Sequence, residues 1–351
     1  MAVTETLESR LAHNTRDAEL CEKVPENKVR CFACGHLCLI PEGRPGVCRV
    51  RYNAGGVLRA PFGYVAALHC DPIEKKPFYH VLPGSQAMSF GMLGCDYHCA
   101  YCQNWITSQA IRDPEAGSSL QAITAEEIAE LAVAYGARTV TSTYNEPLIT
   151  SEWAVEVFRA AKARGLHTSY VSNGNGTPRV IEYLRPWTDF YKVDLKSFQD
   201  KNYRKLGGKL STVLETIRLL KEKGFWVEIV TLVVPGLNDT PDELRDIARF
   251  LVSVSREIPW HITAFHEEYK MRGMGNTRLA ALRRAGEIGK EEGLAFVYLG
   301  NMPGAAPEWE NTYCPACHAL LVERVGFRVL ESRIEGGACP VCRREIPGCW
   351  E

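Results

Sequence analysis

Three cysteines lie close together in one short segment. Cys95, Cys99 and Cys102 have the spacing C-x₃-C-x₂-C and span eight residues. A [4Fe–4S] cube has four irons and usually takes four cysteines, so three thiolates leave one iron open to another ligand. The alternative is a zinc knuckle that takes a fourth ligand such as His98. We name residues 94–104 the cluster loop, because an iron–sulfur cluster is the chemistry that this spacing favours.

The cluster loop resembles the defining motif of the radical SAM superfamily, in which an aromatic residue, here Tyr101, directly precedes the last cysteine. In that superfamily the open iron binds the amino and carboxylate groups of S-adenosylmethionine (SAM). An electron passed into the sulfonium then releases a 5′-deoxyadenosyl radical. The resemblance therefore implies a [4Fe–4S] cluster and SAM as cofactors, with Tyr101 beside them. It also implies a reductant such as flavodoxin or ferredoxin.

Alternating strand-like and helix-like segments surround this motif from residue 88 to residue 301. The predicted strands are 88–93, 138–143, 167–172, 189–194, 226–233, 260–265 and 294–299. The predicted helices are 124–136, 151–164, 178–186, 211–223, 240–257 and 277–292. Six strand–helix units plus a further strand predict an α/β fold, a partial (β/α)₆ TIM-like barrel, which is the common radical SAM core. Chemistry in such barrels lies at the carboxyl ends of the strands, where the cluster loop follows the first strand.

Polar residues also follow the second predicted strand. Asn145 and Glu146 stand where radical SAM enzymes carry a Gly-Gly-Glu-Pro-like segment that hydrogen-bonds the methionine ammonium of SAM, although the glycines are replaced here. The resemblance implies that both side chains bind that amino group. The alternative is a turn formed by Asn145 and Pro147 before the next helix.

The third and fourth strands end in segments that resemble glycyl-radical-enzyme activases such as the pyruvate formate-lyase activating enzyme. The resemblance places four residues beside SAM and the substrate: Ser172, Asn173, Asp194 and Lys196. The activase has an aspartate associated with a monovalent cation where this chain has Val171, so a cation site is not expected. Asp194 and Lys196 could instead form an ordinary surface pair, but strand alternation puts both on the side that faces the barrel.

The fifth and sixth strands add one candidate each. Val233 ends the fifth strand, where radical SAM proteins often set apolar side chains against adenine. A simple strand-to-helix turn is the alternative. His261 matches the Pro-Tyr-His segment of the activases, which implies an approach to SAM or substrate, whereas a lone strand histidine is often a satisfied barrel residue.

A narrower resemblance covers residues 28 to 350. Segments 71–80, 94–105, 144–147 and 298–301 together look like the radical SAM enzyme of the AmmeMemoRadiSam system. That system is named for an AMMECR1-type protein and a Memo-type dioxygenase-like protein, so the resemblance implies those two as partners. Segment 71–80 carries no chemistry that the sequence itself defines.

Eleven of the fourteen cysteines fall into three closely spaced sets, which in a reducing compartment indicates metal ligation. The N-terminal cysteine set consists of Cys31, Cys34, Cys38 and Cys48. It fits tetrahedral zinc, which we favour, or an auxiliary iron–sulfur cluster. The C-terminal cysteine set consists of Cys314, Cys317, Cys339 and Cys342. Its paired C-x₂-C spacing predicts a zinc ribbon.

Length and charge limit the remaining possibilities. The 351 residues divide into a polar segment (1–24), a Cys-rich module (25–87), the barrel (88–301) and a ribbon-like module (302–351). With 41 Lys and Arg against 42 Asp and Glu, the net charge of −1 argues against nucleic-acid or membrane partners. No signal-peptide pattern is present, so a cytoplasmic enzyme is expected. Two other functions stay open: activation of a glycyl radical enzyme, and a non-catalytic metal-binding adaptor.

Overall fold

Short antiparallel strands build the first part of the structure, a computed structural model that describes residues 7–117 and 119–351. A helix, α1 (Leu7–His13), precedes them. The strands are β1 (Thr15–Asp17), β2 (Cys21–Val24), β3 (Lys28–Cys31), β4 (Leu39–Ile40), β5 (Tyr52–Ala54), β6 (Val57–Pro61), β7 (Tyr64–Val65) and β8 (Ala67–Pro72). Strands β1, β6 and β5 form one sheet, and β2, β3 and β4 form another. Strands this short bury little surface, so this region depends on its packing against the rest of the chain.

The central region alternates strands and helices. In chain order they are β9 (Gln86–Gly91), α2 (Trp105–Ser108), β10 (Gln121–Ala122), α3 (Ala125–Ala134), β11 (Ala137–Ser142), α4 (Ser151–Lys162), β12 (His167–Ser172), α5 (Pro178–Leu184), β13 (Phe190–Asp194), α6 (Asp200–Leu206), α7 (Leu210–Glu222), β14 (Trp226–Val233), α8 (Pro241–Val254), β15 (Trp260–Ala264), α9 (Leu279–Glu291) and β16 (Val297–Gly300). None of the described helices is both long and apolar enough to cross a membrane.

The main sheet has the strand order that the sequence predicts. From β9 to β16 its seven strands stand in chain order, β10 excepted, and each is parallel to its neighbours. Parallel strands need crossover connections, which α3, α4, α5, α7, α8 and α9 supply. The carboxyl ends of all seven strands therefore lie at one edge of the sheet. An eighth strand, β8, was not predicted; it pairs antiparallel with β9.

The last part of the chain shares a core with the central region. Its elements are α10 (Pro307–Glu310), β17 (Thr312–Tyr313), β18 (Leu320–Val325) and β19 (Arg328–Ser332). Tyr79 and Tyr298 pack with Leu321 and Val322 of β18 in one buried cluster. The buried guanidinium of Arg324 donates to the carbonyl oxygen of Tyr79 at 2.7 Å. The boundary proposed after residue 301 therefore crosses a shared core.

A buried ion pair joins the N-terminal strands to α4. The Arg51 guanidinium donates to both carboxylate oxygens of Glu152 at 2.7 Å, and the side chains are 1% and 0% exposed. The same carboxylate accepts from the backbone N–H groups of Glu19 and Leu20, each at 3.2 Å. Each oxygen of this buried carboxylate therefore has partners, as burial of a charge requires.

We expect Arg51→Ala to destabilise the protein by about 3–5 kcal/mol, because it leaves the Glu152 carboxylate buried without its counter-ion. The free energy of unfolding would be measured by anaerobic denaturant titration followed by tryptophan fluorescence. Arg204→Ala is the matched control, since Arg204 pairs with Asp200 at 2.7 Å while 78% exposed, and should change stability little. An equal effect of both substitutions would contradict this assignment.

Candidate functional site

The cluster loop leaves the carboxyl end of β9 and is fixed tightly against its surroundings. Gly94 has φ +95°, and a Cβ there would lie 2.8 Å from Cγ1 of Val50, so only glycine fits. The backbone N–H of Tyr97 donates to Sγ of Cys95 at 3.3 Å. Hydrogen bonds to cysteine sulfur are among the features that tune iron–sulfur clusters.

The three cysteines of the cluster loop are spaced differently from the ligands of a zinc knuckle. Zinc with bonds of about 2.3 Å needs its sulfur ligands within roughly 4 Å of one another. No group of three or more His, Cys, Asp or Glu ligand atoms within 4.8 Å of one another includes these cysteines in the described part of the chain. His98 instead lies against Gly207, where a Cβ would be 2.6 Å from the imidazole carbon Cε1. Three thiols without a closing fourth ligand fit a [4Fe–4S] cube with one open iron.

A buried carboxylate ties the cluster loop to the loop after β12. Asp96 accepts from the side-chain amides of Asn173 at 2.7 Å and Asn175 at 2.8 Å. The carbonyl oxygen of Asn175 in turn accepts from the backbone N–H of Gly35, at 2.8 Å. One chain of hydrogen bonds therefore connects the cluster loop, the third strand end and the N-terminal strands.

Glu146 occupies the position next to this network. Its carboxylate accepts from the backbone N–H of Asn173 and the hydroxyl of Ser172, both at 2.7 Å, and from the backbone N–H of Leu148 at 3.1 Å. Burial and the neighbouring Asp96 carboxylate raise the pKa of Glu146 to about 8, although these donors oppose the shift. In this structure Glu146 therefore bridges the loops after β11 and β12.

A cavity of about 1010 Å³ opens at the carboxyl ends of the strands. Five of the residues expected at the cofactor site line it: Cys99, Tyr101, Cys102, Asp194 and Lys196. They come from the cluster loop and from the end of β13, as the parallel strand order requires. A space of this size can hold a cofactor and a substrate together.

Paired charges face this cavity. Asp194 accepts from the ammonium groups of Lys192 and of Lys196, the latter at 3.2 Å. Burial alone would raise the pKa of Asp194, but the two lysines lower it to about 2. Burial disfavours the charged form of Lys196, yet Asp194 and then the Cys99 thiolate raise its pKa well above the usual range. A lysine cation is thus held next to a predicted iron ligand.

The other expected cluster and cofactor residues lie outside the lining of this cavity: Cys95, Asn145, Glu146, Ser172, Asn173, Val233 and His261. Asn145 accepts from the backbone N–H of Met92 at 3.1 Å, which fixes the segment before the cluster loop. His261 lies near the start of β15, not at its carboxyl end, and Nε2 is 2.6 Å from the Glu228 carboxylate. This buried pair matches the alternative interpretation of His261 as a satisfied barrel residue.

Two parts of the cavity wall were missed by sequence reasoning. Lys76 donates to Asp71 at 2.9 Å and to the hydroxyl of Tyr144 at 2.8 Å, and Lys76 and Tyr144 both line the cavity. Residues 325–329, at the tip of the β18–β19 hairpin, form another wall. Segment 71–80 was recognisable as a motif, but nothing in the local sequence of residues 325–329 indicated this position.

The two terminal cysteine sets differ in geometry. In the C-terminal cysteine set all four Sγ atoms lie within 4.8 Å of one another, with Cys314 to Cys342 at 3.5 Å and Cys317 to Cys339 at 3.7 Å. These separations match four thiolates around one tetrahedral ion. The N-terminal cysteine set does not close at this distance among the described residues.

Comparison with known proteins gives a consistent family. The Radical SAM superfamily pattern matches residues 91–251. An uncharacterized protein of Methanocaldococcus jannaschii is 38% identical over 335 residues, covering 94% of this chain and 98% of that protein. The pyruvate formate-lyase 1-activating enzyme of Escherichia coli K12 is 28% identical over 231 residues, covering 60% of this chain and 91% of the enzyme. A solved radical SAM methyltransferase from Sphaerobacter thermophilus has a TM-score of 0.49 at 16% identity, covering 64% of this chain and 68% of that chain.

The raised pKa of Glu146 predicts that stability falls as pH rises from about 4.5 to about 8. Over that range the folded protein keeps a proton that the unfolded chain has lost, so the free energy of unfolding falls by up to about 1.4 kcal/mol per pH unit. Glu146→Gln should flatten this dependence, as measured by denaturant titration at a series of pH values. Glu215→Gln, on the exposed face of α7, should leave it unchanged. If Glu146→Gln leaves the pH dependence of the free energy of unfolding unchanged, a group other than Glu146 is responsible for it.

Proposed function

Because residues 91–251 of this chain match the radical SAM superfamily, we propose that it is an enzyme that reductively cleaves SAM at a [4Fe–4S] cluster held by Cys95, Cys99 and Cys102. When bound, the cluster and SAM supply a 5′-deoxyadenosyl radical for hydrogen abstraction from a substrate. The observation that carries this proposal is the cavity at the strand ends, which two of these cysteines line together with Asp194 and Lys196.

The remaining contributions of the chain are positioning and exclusion of water. Tyr101 is buried and faces the cavity directly before the last cysteine, so it shields the cofactor from solvent. Lys196 and Asp194 offer a cation and an anion to the charged groups of SAM. Asn145, Glu146, Ser172 and Asn173 act as positioning residues, since their hydrogen bonds hold the loops that shape the site. The electron comes from a reductant, for which flavodoxin and ferredoxin are candidates.

A second candidate, activation of a glycyl radical enzyme, is favoured by the similarity to the pyruvate formate-lyase 1-activating enzyme. That similarity covers 60% of this chain. Residues 325–329, in the C-terminal part of the chain, form one wall of the cavity. A substrate in the cavity would therefore contact this part of the chain. An adaptor without catalysis is disfavoured, because a scaffold has no need of the Asp194–Lys196 ion pair in a cavity that two cluster-loop cysteines also line.

We further propose that the protein is the radical SAM component of the AmmeMemoRadiSam system and works in the cytoplasm. Segments 71–80 and 298–301 support this, since both carry the narrower resemblance and both contribute to the cavity wall. AMMECR1-type and Memo-type proteins are then the partners. Their binding would be tested with the purified proteins by analytical ultracentrifugation.

Anaerobically reconstituted protein should form 5′-deoxyadenosine from SAM under reduction and show an EPR signal that SAM alters. Replacement of Cys95, Cys99 and Cys102 by alanine should abolish both, because it removes the ligands of three irons. Cys70→Ala is the control, since Cys70 lies on β8 outside all three cysteine sets and should retain both signals. A triple variant that still cleaves SAM would refute the proposed function.

The C-terminal cysteine set is proposed to hold one structural zinc ion. Replacement of its two exposed members, Cys317 and Cys342, by serine should remove about one zinc per chain without lowering the iron content. The thermal midpoint should fall, because zinc binding contributes folding free energy to this part of the chain. Inductively coupled plasma analysis of both metals checks the outcome. Unchanged zinc content would assign the metal to other ligands.

A further inference from the structure

The N-terminal cysteine set is gathered in the structure but is spaced widely. Strands β3 and β4 pair antiparallel, and the backbone N–H of Cys31 donates to the carbonyl oxygen of Cys38 at 2.9 Å. Cys34 lies in the turn between them, where its carbonyl oxygen accepts from Leu37 at 3.1 Å. Cys48 is carried by a second turn, and a Cβ on Gly46 of that turn would lie 3.5 Å from Sγ of Cys38.

These thiols are mostly buried and lie near enough to influence one another electrostatically. Cys31, Cys34 and Cys48 are buried, and Cys38 is half-buried. Electrostatic interactions link the Cys34 thiol to those of Cys31 and Cys48, and the Cys38 thiol to that of Cys31. Yet no three of the four sulfurs lie within 4.8 Å of one another, whereas all four of the C-terminal cysteine set do.

The sulfur atoms of the N-terminal cysteine set are therefore farther apart than those of the C-terminal cysteine set. Four thiolates around a single zinc ion at about 2.3 Å must approach one another to roughly 4 Å, as the C-terminal cysteine set does. An iron–sulfur cube places its irons between the thiolates, so the sulfurs that hold it stand farther apart. We propose that the N-terminal cysteine set holds an auxiliary [4Fe–4S] cluster, in contrast to the zinc that its sequence spacing favoured.

The position of this set gives the auxiliary cluster a role. The Arg112 guanidinium donates at 2.7 Å both to the carbonyl oxygen of Val47, directly before Cys48, and to that of Cys95. Nε2 of His36, between Cys34 and Cys38, is 3.2 Å from the carbonyl oxygen of Asp96. The N-terminal cysteine set thus packs on the cluster loop.

The auxiliary cluster relays single electrons to the SAM-binding cluster. A one-electron carrier protein reduces the auxiliary cluster by one electron. The auxiliary cluster is reoxidised when that electron passes to the cluster held by the cluster loop. No bond is formed or broken and no proton is moved in this transfer. This role rests on the proposed function, whereas the identity of the metal does not.

The metal content of the unmodified protein tests the site without any variant that could misfold. Full-length protein reconstituted anaerobically with iron and sulfide, in the presence of Zn²⁺, should contain about eight irons and about one zinc per chain. About four irons and two zincs would overturn the proposal. After reduction, EPR should show two cluster signals, only one of which changes on addition of SAM; a single signal that responds to SAM would also overturn it.

The relay is tested separately with two reductants. In Cys38→Ser, the ratio of flavodoxin-driven to dithionite-driven SAM cleavage should fall to a small part of the wild-type ratio. Dithionite is small and can reduce the SAM-binding cluster directly, whereas flavodoxin depends on the auxiliary cluster. An unchanged ratio in a variant that has lost iron would overturn the relay. If the wild type cleaves no SAM with either reductant, the proposed function fails, while the iron count still decides the identity of the N-terminal metal.

Discussion

Two buried carboxylates, Asp96 and Glu146, hold together the loops on which the site depends. Each is almost inaccessible to water, and each accepts hydrogen bonds from the loop that follows β12. A buried carboxylate without such donors would be strongly destabilising, so the loops must keep the positions that satisfy it. The raised pKa of Glu146 reflects first its burial and then its closeness to the Asp96 carboxylate. The cluster loop therefore takes its shape from polar groups as well as from apolar packing.

The same network explains why modules at both ends of the chain contribute to one site. Gly35 donates a hydrogen bond to Asn175, and Asn175 donates one to Asp96. These hydrogen bonds link the N-terminal strands to the cluster loop. On the other side, the hairpin tip at 325–329 reaches the cavity because Arg324 and its buried neighbours fix the hairpin to Tyr79. The ends of the central strands line the cavity, the N-terminal strands support the cluster loop, and residues 325–329 of the C-terminal part form one wall.

The sequence predicted what depends on local pattern. All seven parallel strands occur within three residues of their expected bounds, because β-branched and aromatic runs favour strands that are buried on both faces. Thr124 and Glu127 form a capping box at the start of α3, which also follows from local sequence because its bonds join residues three apart. Two of the loop cysteines, Cys99 and Cys102, and the charged residues Asp194 and Lys196 were likewise singled out from the sequence, and these four line the cavity.

What the sequence did not predict depends on contacts between distant segments. Strand β8 pairs antiparallel with β9 although the turn between them includes a 3₁₀ helix, which hides the hairpin signal. His261 was expected near the cofactor, but its partner Glu228 lies on the neighbouring strand β14, where a residue pattern cannot show it. The inward bonds of Glu146 depend on Ser172 and Asn173 in the same way. The role of a polar residue depends on the residues that it contacts in the folded protein. A motif shows where the residue lies along the chain but not which distant residues it contacts.

The replacement of the family's glycines is connected structurally with segment 71–80. Tyr144 stands in the segment where glycines are usual, and its φ of +67° is a conformation that glycine adopts without strain. For another residue this conformation costs about 1–2 kcal/mol, so it persists only where surrounding contacts fix it. Its hydroxyl donates to Asp71 at 3.2 Å and accepts from Lys76 at 2.8 Å, and the Lys76 ammonium lies 4.7 Å from the ring centre. Segment 71–80 thus stabilises the strained loop that replaced the glycines, and the tyrosine in turn brings that segment into the cavity wall.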